Sequence, residues 1–274
     1  ENLAPLNVSL PHVFVQGDIN DTTLISTLLA KHQPRAILNF AAESHVDRSI
    51  TAPDSFITTN INGTFKLLTA ALEYWAQLAP AAQAEFRFVH ISTDEVYGSL
   101  TPAEPPVSEG HPYRPNSPYS ASKAASDHLV RAWYHTYGLP TIITHCTNNY
   151  GPYHFPEKLI PLLITKALAH AVLPIYGDGQ QIRDWLYVTD HCQAIMAVLA
   201  AGTPGEIYNI SGNNQYTNID IAHMLCRLLD SIKPRTDGAS YSLQLRFVTD
   251  RPGHDRRYAL DASKIKRQLG WQAQ

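Results

Sequence analysis

Short apolar runs and amphipathic stretches alternate along the first half of the chain. The pattern predicts strands at residues 13–15, 36–42, 88–91 and 141–146, and helices at residues 21–30, 54–78 and 119–137. Strands that alternate with helices are typical of a parallel sheet wound on both faces. We therefore predict an α/β fold with a doubly wound parallel sheet.

The pattern is less regular after residue 150. It predicts helices at residues 157–171, 189–201 and 217–230, strands at 184–188, 206–210 and 245–248, and a hairpin-like turn at 175–179. The strand at 206–210 is expected to return to the main sheet. We divide the chain into a main domain, residues 1–149 and 186–212, and a smaller α/β lobe, residues 150–185 and 213–274.

Composition places the chain among ordinary soluble proteins. Of its 274 residues, 44% are hydrophobic and 16% charged, and the formal net charge is -3, which gives no reason to expect nucleic acid or an anionic membrane as a partner. No apolar run approaches the roughly 18 residues of a membrane span, and no signal peptide is recognised. The dispersed cysteines Cys146, Cys192 and Cys226 indicate a reducing, cytoplasmic setting and no metal site.

Polar residues follow the buried strand at 88–91 directly. Ser92, Thr93, Asp94 and Glu95 would then lie in the crevice beyond the carboxyl ends of the strands, where ligands bind in open α/β sheets. Adjacent carboxylates push their pKa values apart, which makes Asp94 and Glu95 candidates for an acid and base pair. An acidic turn without function is the alternative.

Tyr119 and Lys123 are four residues apart and share one face of the predicted helix. A phenol with a pKa of about 10 is a poor base near neutrality, and a neighbouring ammonium lowers that pKa. A decrease of about 3 units takes about 4 kcal/mol of differential stabilisation. A tyrosine and lysine at this spacing also occur by chance.

The smaller lobe carries several basic residues, which suggest a substrate with a diphosphate group. They are Lys158, Arg183, Arg251, Arg256 and Arg257. The loop at residues 251–257 is the most basic stretch and is suited to phosphate. Solvated surface charge is the alternative for each of these residues.

Taken together, the motifs resemble the nucleotide-sugar branch of the extended short-chain dehydrogenase/reductase family, and most closely its 4,6-dehydratases. The resemblance rests on residues 41–49, 92–98, 119–123, 148–161 and 250–255 and covers essentially the whole chain. It implies a Rossmann-like fold and bound NAD. Members begin with a strand, a glycine-rich turn and an acidic residue, none of which precedes residue 13 here, and their C-terminal tail is longer. We therefore expect a chain truncated at both ends, and the sequence leaves open whether this fragment binds NAD or folds alone.

The resemblance implies a role for each candidate catalytic residue. Tyr119 would take the proton of the sugar 4-hydroxyl, Lys123 would lower the Tyr119 pKa and hold the nicotinamide ribose, and Thr93 would hydrogen-bond the 4-oxygen. Glu95 would remove the proton on carbon 5, and protonated Asp94 would protonate the leaving 6-hydroxyl. The product would be the 4-keto-6-deoxy sugar, a precursor of deoxysugars such as rhamnose.

Binding residues and the oligomeric state follow from the same resemblance. The NAD contacts would come from Asp18, Ile19, Phe40, Ala41, Ala42, Glu43, Ser44, Thr59, Tyr119, Lys123 and Asn149. The nucleotide-sugar contacts would come from Ser44, Thr93, Asn148, Lys158, Leu159, Pro174, Ile175, Tyr176, Arg183, Asn218, Asp250, Arg251, Pro252, Gly253 and His254. A homodimer would form through the helices at 54–78 and 119–137.

Three other functions stay open on the sequence. The expected substrate is dTDP-glucose, but the same chemistry on UDP-glucose would use the same residues. A 4-epimerase or decarboxylase needs no second carboxylate, so Asp94 and Glu95 argue against it. A non-catalytic nucleotide-sugar-binding relative is the third, and the intact set of candidate catalytic residues argues against that one.

Overall fold

The computed structural model describes residues 11–274. In chain order its strands are β1 (Ala36–Asn39), β2 (Arg87–Thr93), β3 (Thr141–Cys146), β4 (Asn148–Tyr150), β5 (Leu173–Tyr176), β6 (Ile182–Tyr187), β7 (Ile207–Ile210), β8 (Gln215–Thr217) and β9 (Leu245–Val248). Its helices are α1 (Thr22–His32), α2 (Val46–Thr51), α3 (Pro53–Phe56), α4 (Thr64–Ala76), α5 (Pro80–Glu85), α6 (Pro118–Tyr137), α7 (Leu159–Leu168), α8 (Val188–Ala201), α9 (Asn218–Ile232) and α10 (Ser263–Leu269). A π-helical segment, Ile57–Gly63, joins α3 to α4, and 3₁₀ turns span Asp94–Tyr97 and Tyr241–Gln244.

The main sheet is parallel and has the order β1-β2-β3-β7. Its two faces are covered by separate apolar clusters: Val89 packs with Ile142 and Tyr208 on one face, and Phe88 packs with Ile143 on the other. Successive residues of a strand point to opposite faces, so burial on both faces explains the continuous apolar runs. The predicted doubly wound α/β sheet and the return of residues 206–210 to it are confirmed.

Helix α6 begins and ends as its sequence predicts. Ser117 and Ser120 form a capping box at its N-terminus, and Gly138 adopts a left-handed conformation (φ 75°) at its C-terminus. This helix packs against β2 and β3 of the main sheet and carries Tyr119 and Lys123. None of the helices within residues 11–274 is long and apolar enough to cross a membrane.

Two small sheets lie outside the main one. Strands β4, β6 and β8 form one, and β5 pairs in parallel with β9 in the other, against a cluster that includes Leu163, Ile175 and Cys226. The predicted hairpin-like turn at residues 175–179 is therefore wrong in part, because residues 175 and 176 belong to β5 and only the following residues turn.

Two further expectations about local structure are wrong. Residues 13–15 are not a strand: Val13 and Phe14 are both 68% exposed, and the segment pairs with no strand among residues 11–274. Apolar residues form a strand only where a neighbouring strand accepts their backbone hydrogen bonds. The helix predicted at 54–78 is interrupted by the π-helical segment. A hydrophobic pattern with a period of 3.6 residues cannot reveal such a segment, because its hydrogen bonds run from residue i to residue i+5.

The division into a main domain and a smaller lobe stays a prediction, and its first ten residues lie outside the described part of the chain. One contact cuts across the boundary. Ile265 of α10 and Trp271 pack into the cluster of Val89 and Tyr208 on the main sheet, although the division assigns residues 213–274 to the lobe.

Candidate active site

Strand β2 delivers the acidic pair to the carboxyl edge of the main sheet. Thr93 ends the strand and caps the 3₁₀ turn that follows: its Oγ1 accepts a hydrogen bond from the Glu95 N–H at 3.3 Å and donates one to Asp94 Oδ1 at 3.2 Å. Thr93 and Asp94 are buried, and Glu95 is partly buried. All four residues predicted to lie in the crevice, Ser92, Thr93, Asp94 and Glu95, line one cavity at this edge of the sheet, and their roles stay predictions.

Burial shapes the acidity of both carboxyl groups. It raises the pKa of Asp94 well above its usual value, and the neighbouring Glu95 raises it further. Burial also raises the pKa of Glu95, although Arg183 and Arg251 oppose this. Asp94 Oδ2 is buried and has no hydrogen-bond partner in the described part of the chain. The pair can therefore hold one proton on Asp94 while Glu95, with cations nearby, is the more readily ionised.

Tyr119 lies on the first turn of α6 with its ring against Phe56, at 6.3 Å between ring centroids. Burial raises the pKa of Tyr119 well above 10, Glu95 and Cys146 add to the increase, and a hydrogen bond with Thr93 opposes it. Lys123 directs its ammonium to the Ile91 carbonyl oxygen at 2.8 Å. Burial therefore dominates the Tyr119 pKa among the described protein groups, and the expected lowering of that pKa by Lys123 together with bound NAD stays a prediction.

Two adjoining cavities meet at this edge of the sheet. The inner cavity, about 380 Å³, is lined by Phe40, Ala42, Ser44, Ile91, Ser92, Thr93, Asp94, Glu95, Tyr119, Lys123, Cys146, Thr147, Asn148, Asn149, His154, Lys158, Leu159 and Trp185. The outer cavity, about 420 Å³, is lined by Ser44, His45, Val46, Asp47, Glu95, Asn148, Glu157, Lys158, Leu159, Leu162, Pro174, Ile175, Tyr176, Arg183, Trp185, Asn218, Arg251 and His254. Glu95 faces both.

The structure gathers most of the predicted site residues around these cavities, but not all of them. The exceptions are Asp18, Ile19, Ala41, Glu43, Thr59, Asp250, Pro252 and Gly253, whose predicted contacts stay predictions. Asp250 instead accepts hydrogen bonds from His254 Nδ1 at 2.6 Å and Gln181 Nε2 at 3.1 Å, which orients the imidazole beside the outer cavity.

Most of the basic loop at residues 251–257 turns away from the cavities. Arg256 pairs with Asp178, and buried Arg257 donates to the carbonyl oxygens of Thr101 and Glu104. The expectation that this whole loop suits a phosphate is therefore wrong, because Arg256 and Arg257 already bind other groups of the protein. Arg251 is the exception; it lines the outer cavity and pairs with Asp47 at 3.0 Å.

The guanidinium of Arg183 is buried, at 6% exposure, and rigidly held. It donates to the carbonyl oxygens of Ile182 at 2.9 Å and Asp255 at 3.0 Å and lies 4.4 Å from the centre of the Tyr258 ring. Because its position is fixed by three contacts, Arg183 presents a preorganised positive charge to the outer cavity.

Contacts between the loop after β1 and the segment before α7 join the two sides of the outer cavity. Lys158 Nζ donates to the Ser44 carbonyl oxygen at 2.7 Å, and Glu157 pairs with Arg48 and, at 3.4 Å, with His45. Sequence reasoning missed Glu157 as a residue of the site. Its partners lie more than 100 positions earlier, so no local pattern could reveal the contact.

Sequence reasoning also missed the residues beneath the inner cavity. Asn60, in the π-helical segment, accepts a hydrogen bond from the Glu43 N–H at 2.8 Å and donates to the Glu43 carbonyl oxygen at 3.0 Å. Its Nδ2 also lies 2.8 Å from Ser122 Oγ, which donates to the Tyr119 carbonyl oxygen at 2.7 Å. Asn60 therefore connects the loop after β1 to the helix turn that carries Tyr119.

A tyrosine and lysine on one helix, facing the carboxyl edge of a doubly wound sheet and a buried threonine, define a protein of the short-chain dehydrogenase/reductase class. The family model described as GDP-mannose 4,6 dehydratase matches residues 2–274. A dTDP-glucose 4,6-dehydratase of Xanthomonas campestris pv. campestris (strain B100) is 60% identical over 270 residues, which are 98% of this chain and 77% of that protein. The chain belongs to the dTDP-glucose 4,6-dehydratase family.

Other relatives agree with this placement. dTDP-glucose 4,6-dehydratase 1 of Escherichia coli (strain K12) is 56% identical over 282 residues, covering 100% of this chain and 78% of that protein. Among solved structures, DesIV, a dTDP-glucose 4,6-dehydratase from Streptomyces venezuelae with NAD and TYD bound, is 47% identical and has a TM-score of 0.88, covering 100% of this chain and 78% of that one.

Proposed function

We propose that this protein converts dTDP-glucose into dTDP-4-keto-6-deoxyglucose and water, with NAD as a cofactor that is regenerated in each turnover. One observation carries the proposal. Asp94 and Glu95 lie side by side at the end of β2, next to Thr93 and facing Tyr119, and both have raised pKa values. Oxidation alone needs the tyrosine and the threonine, whereas removal of water also needs an acid and a base.

The residues around the inner cavity fit NAD. Lys123 and Tyr119 line it, and Phe40 at its rim is 58% exposed, so its ring is available to a planar group. Asn149 Oδ1 is buried and lacks a hydrogen-bond partner in residues 11–274, as does Asn148 Oδ1. Buried polar atoms without partners are uncommon in proteins and are expected where a ligand completes the site. When bound, NAD supplies the hydride acceptor for carbon 4 and the hydride donor for carbon 6.

Tyr119 and Thr93 serve the oxidation of the sugar. The Tyr119 oxygen accepts the proton of the 4-hydroxyl as the carbon–oxygen double bond forms, and Thr93 Oγ1 hydrogen-bonds the same oxygen. Because burial raises the pKa of Tyr119, its phenolate requires positive charge in the inner cavity. Lys123 and the bound cofactor can supply it, since Lys123 lines that cavity.

Glu95 and Asp94 serve the loss of water. The new 4-ketone acidifies the proton on carbon 5, and the Glu95 carboxylate removes it. Asp94 donates its proton to the 6-hydroxyl, whose carbon–oxygen bond breaks to release water. The raised pKa of Asp94 keeps that proton in place near neutral pH, and the cations near Glu95 favour its ionised form. The two adjacent carboxyl groups can therefore take opposite roles.

The outer cavity suits the nucleoside diphosphate. Lys158, Arg183 and Arg251 all line it, and phosphate oxygens are recognised by ammonium and guanidinium donors. Pro174, Ile175 and Tyr176 line the far side and offer apolar surface for a base. We infer that the remaining predicted substrate residues, including Asn218, act around the same cavity.

Incubation of the protein with NAD and either dTDP-glucose or UDP-glucose tests the proposal. Mass spectrometry of the product should show loss of one water from dTDP-glucose without net formation of NADH. Loss of water from UDP-glucose alone would reassign the substrate. Inversion of the sugar at unchanged mass would indicate an epimerase, and no reaction with either sugar would favour a binding protein.

We also propose the homodimer that the sequence suggests. Phe65 is 46% exposed and Tyr137 is 51% exposed, and each ring contacts Trp133, at 5.7 Å and 5.3 Å between centroids. These side chains form an aromatic surface on α4 and α6, within the two helical regions predicted to meet a second copy. Sedimentation velocity on wild type and Phe65→Glu tests this: a dimer that becomes a monomer supports the interface, and an unchanged mass contradicts it.

A further inference from the structure

A buried carboxylate lies behind the inner cavity, on the same helix as Lys123. Asp127 is 1% exposed. Its Oδ2 accepts hydrogen bonds from Ser92 Oγ at 2.9 Å and from His145 Nε2 at 3.0 Å. Its Oδ1 lies 3.5 Å from His90 Nε2 and has no hydrogen-bond partner among the residues that the structure describes. One oxygen of this carboxylate is thus fixed, and the other faces His90.

The hydrogen bonds around His90 fix its tautomer. Asn39 Oδ1 accepts a hydrogen bond from the Ala41 N–H at 3.2 Å, so Asn39 Nδ2 is the atom that faces His90 Nδ1 at 3.2 Å. His90 Nδ1 must then be the acceptor, which places the proton on Nε2. That proton faces Ser126 Oγ at 3.2 Å and Asp127 Oδ1.

His90 carries no charge at neutral pH. Burial lowers its pKa to about 3, and Lys123 lowers it as well. The buried imidazole is therefore neutral, and two side chains that can be charged approach its Nε2 atom: Asp127 Oδ1 at 3.5 Å and Lys123 Nζ at 3.5 Å.

Lys123 is a buried cation that forms no direct ion pair with any residue from 11 to 274. It is 3% exposed, its ammonium donates to the Ile91 carbonyl oxygen at 2.8 Å, and its Nζ lies 3.5 Å from His90 Nε2. Burial lowers the pKa of Lys123, and Asp127 is the first group that opposes this. Burial also opposes the ionisation of Asp127, but His145, His90 and Lys123 together lower its pKa. Each charge helps to keep the other ionised.

We propose that Asp127 is the buried counter-ion of Lys123, held beside the same nitrogen of His90 rather than in direct contact with the ammonium, and that it keeps the ammonium charged and directed toward the inner cavity. This makes Asp127 a positioning residue. Its catalytic meaning rests on the proposed function of Lys123, but the charge coupling does not. A direct ion pair would tie the ammonium to the carboxylate. A counter-ion that does not touch the ammonium leaves the remaining ammonium protons free for a ligand.

Other titratable groups also face Asp127 and Lys123. Lys123 also faces the Cys146 thiol from β3, and burial raises the pKa of that thiol to about 12, so it is neutral. Asp127 also faces His145 and the phenols of Tyr97 and Tyr113, whose pKa values burial raises. Of the two groups that support the charge of Lys123, Asp127 and the Cys146 thiol, only Asp127 is ionised near neutral pH.

The pKa of the Lys123 ammonium, followed by NMR in protein labelled with ¹³Cε-lysine, tests the proposal without any turnover. Lys123→Met assigns the signal. In Asp127→Asn the pKa of Lys123 should fall by about one unit or more. Ser92→Ala removes a hydrogen bond to Asp127 but leaves its charge, so the Lys123 pKa should stay close to that of wild type. Equal pKa values in wild type and Asp127→Asn would overturn the proposal.

A double-mutant cycle on the free energy of unfolding covers the case in which Asp127→Asn folds poorly. If Asp127 balances the charge of Lys123, Asp127→Asn should cost less stability in the Lys123→Met background than in wild type, and a single variant that fails to fold should recover in the double variant. Equal costs in both backgrounds, or failure to fold in both, would assign Asp127 a purely structural role and contradict the proposal. If these experiments show the coupling between Asp127 and Lys123 but the wild-type protein has no dehydratase activity, only the proposed function is refuted.

Discussion

Asn60 holds both backbone polar groups of Glu43, accepting from its N–H at 2.8 Å and donating to its carbonyl oxygen at 3.0 Å. The Asn60 side chain is 1% exposed, so these bonds form out of water. Asn60→Ala should cost about 2 kcal/mol in the free energy of unfolding, since buried backbone groups lose their partner. It should also weaken NAD binding about tenfold, because the loop after β1 loses its support. Denaturant unfolding and isothermal titration calorimetry measure these effects, and the exposed Asn214→Ala is the matched control.

Because Asp94 and Glu95 are proposed to act in different steps, replacing each of them should stop the reaction at a different step. In Glu95→Gln, oxidation at carbon 4 should persist, whereas deuterium from D₂O should not enter at carbon 5. In Asp94→Asn, exchange at carbon 5 should continue while water loss slows by about 10²–10⁴-fold. NMR of the sugar and mass spectrometry distinguish the two. The exposed Glu104→Gln should behave as wild type, and full dehydration by Glu95→Gln would remove Glu95 as the base.

The raised pKa of Asp94 makes the stability of the fold depend on pH. The unfolded carboxyl ionises near its model value of 3.8, whereas the folded one keeps its proton to much higher pH. Its contribution is therefore complete below pH 3.8 and is lost as the pH rises, by up to about 1.4 kcal/mol per pH unit. Asp94→Asn should be increasingly more stable than wild type between pH 4 and 7 in chemical denaturation. A difference that does not change with pH would contradict the raised pKa.

His191 on α8 predicts the opposite dependence. It is 7% exposed, and burial lowers its pKa to about 4. The unfolded imidazole takes up a proton below about pH 6.5, and the folded one resists, so its contribution is present above pH 6.5 and is lost as the pH falls toward 4. The total loss is about 3 kcal/mol. His191→Gln should flatten the acid limb of the stability curve, while the exposed His135→Gln should leave it unchanged.

The rigid setting of Arg183 predicts that lysine will not replace it. Lysine cannot donate to both the Ile182 and Asp255 carbonyl oxygens while stacking on Tyr258. Arg183→Lys should raise the KM for the nucleotide sugar about 10- to 100-fold and leave NAD affinity unchanged. Arg246→Lys is the matched control, because Arg246 is exposed and also donates to backbone carbonyl oxygens. An unchanged KM in Arg183→Lys would exclude Arg183 from substrate binding.

Local sequence patterns predicted an element correctly where the signal for that element lies within its own residues. The apolar run at residues 88–91 and the helical pattern at 119–137 predicted β2 and α6, and these two elements place Thr93, Asp94, Glu95 and Tyr119 together. Such elements are specified by their own residues, because a strand buried on both faces and a capped helix each carry a signature within a few positions.

What the sequence missed depends on partners far along the chain. The basic residues Arg256 and Arg257 look like phosphate ligands until their partners, 78 and more than 150 positions away, are known. Asp127 looks like a polar helix residue until β2 and β3 bring His90 and His145 against it. Lys123 was expected to lower the pKa of Tyr119, and only the fold shows that burial dominates.

The π-helical segment Ile57–Gly63 gives the site an unusual sensitivity to chain length. A wider turn accommodates one more residue than an α-helix of the same span, and here the segment contains Asn60, which holds the loop after β1. Deleting a single residue between positions 57 and 63 would let the region close into a regular α-helix, with its apolar face intact, yet rotate Asn60 away from Glu43. The loss of one residue would thereby preserve the fold and yet remove the hydrogen bonds between Asn60 and Glu43 that hold the loop after β1. Relatives with different helix lengths at this position should consequently differ in how they hold that loop.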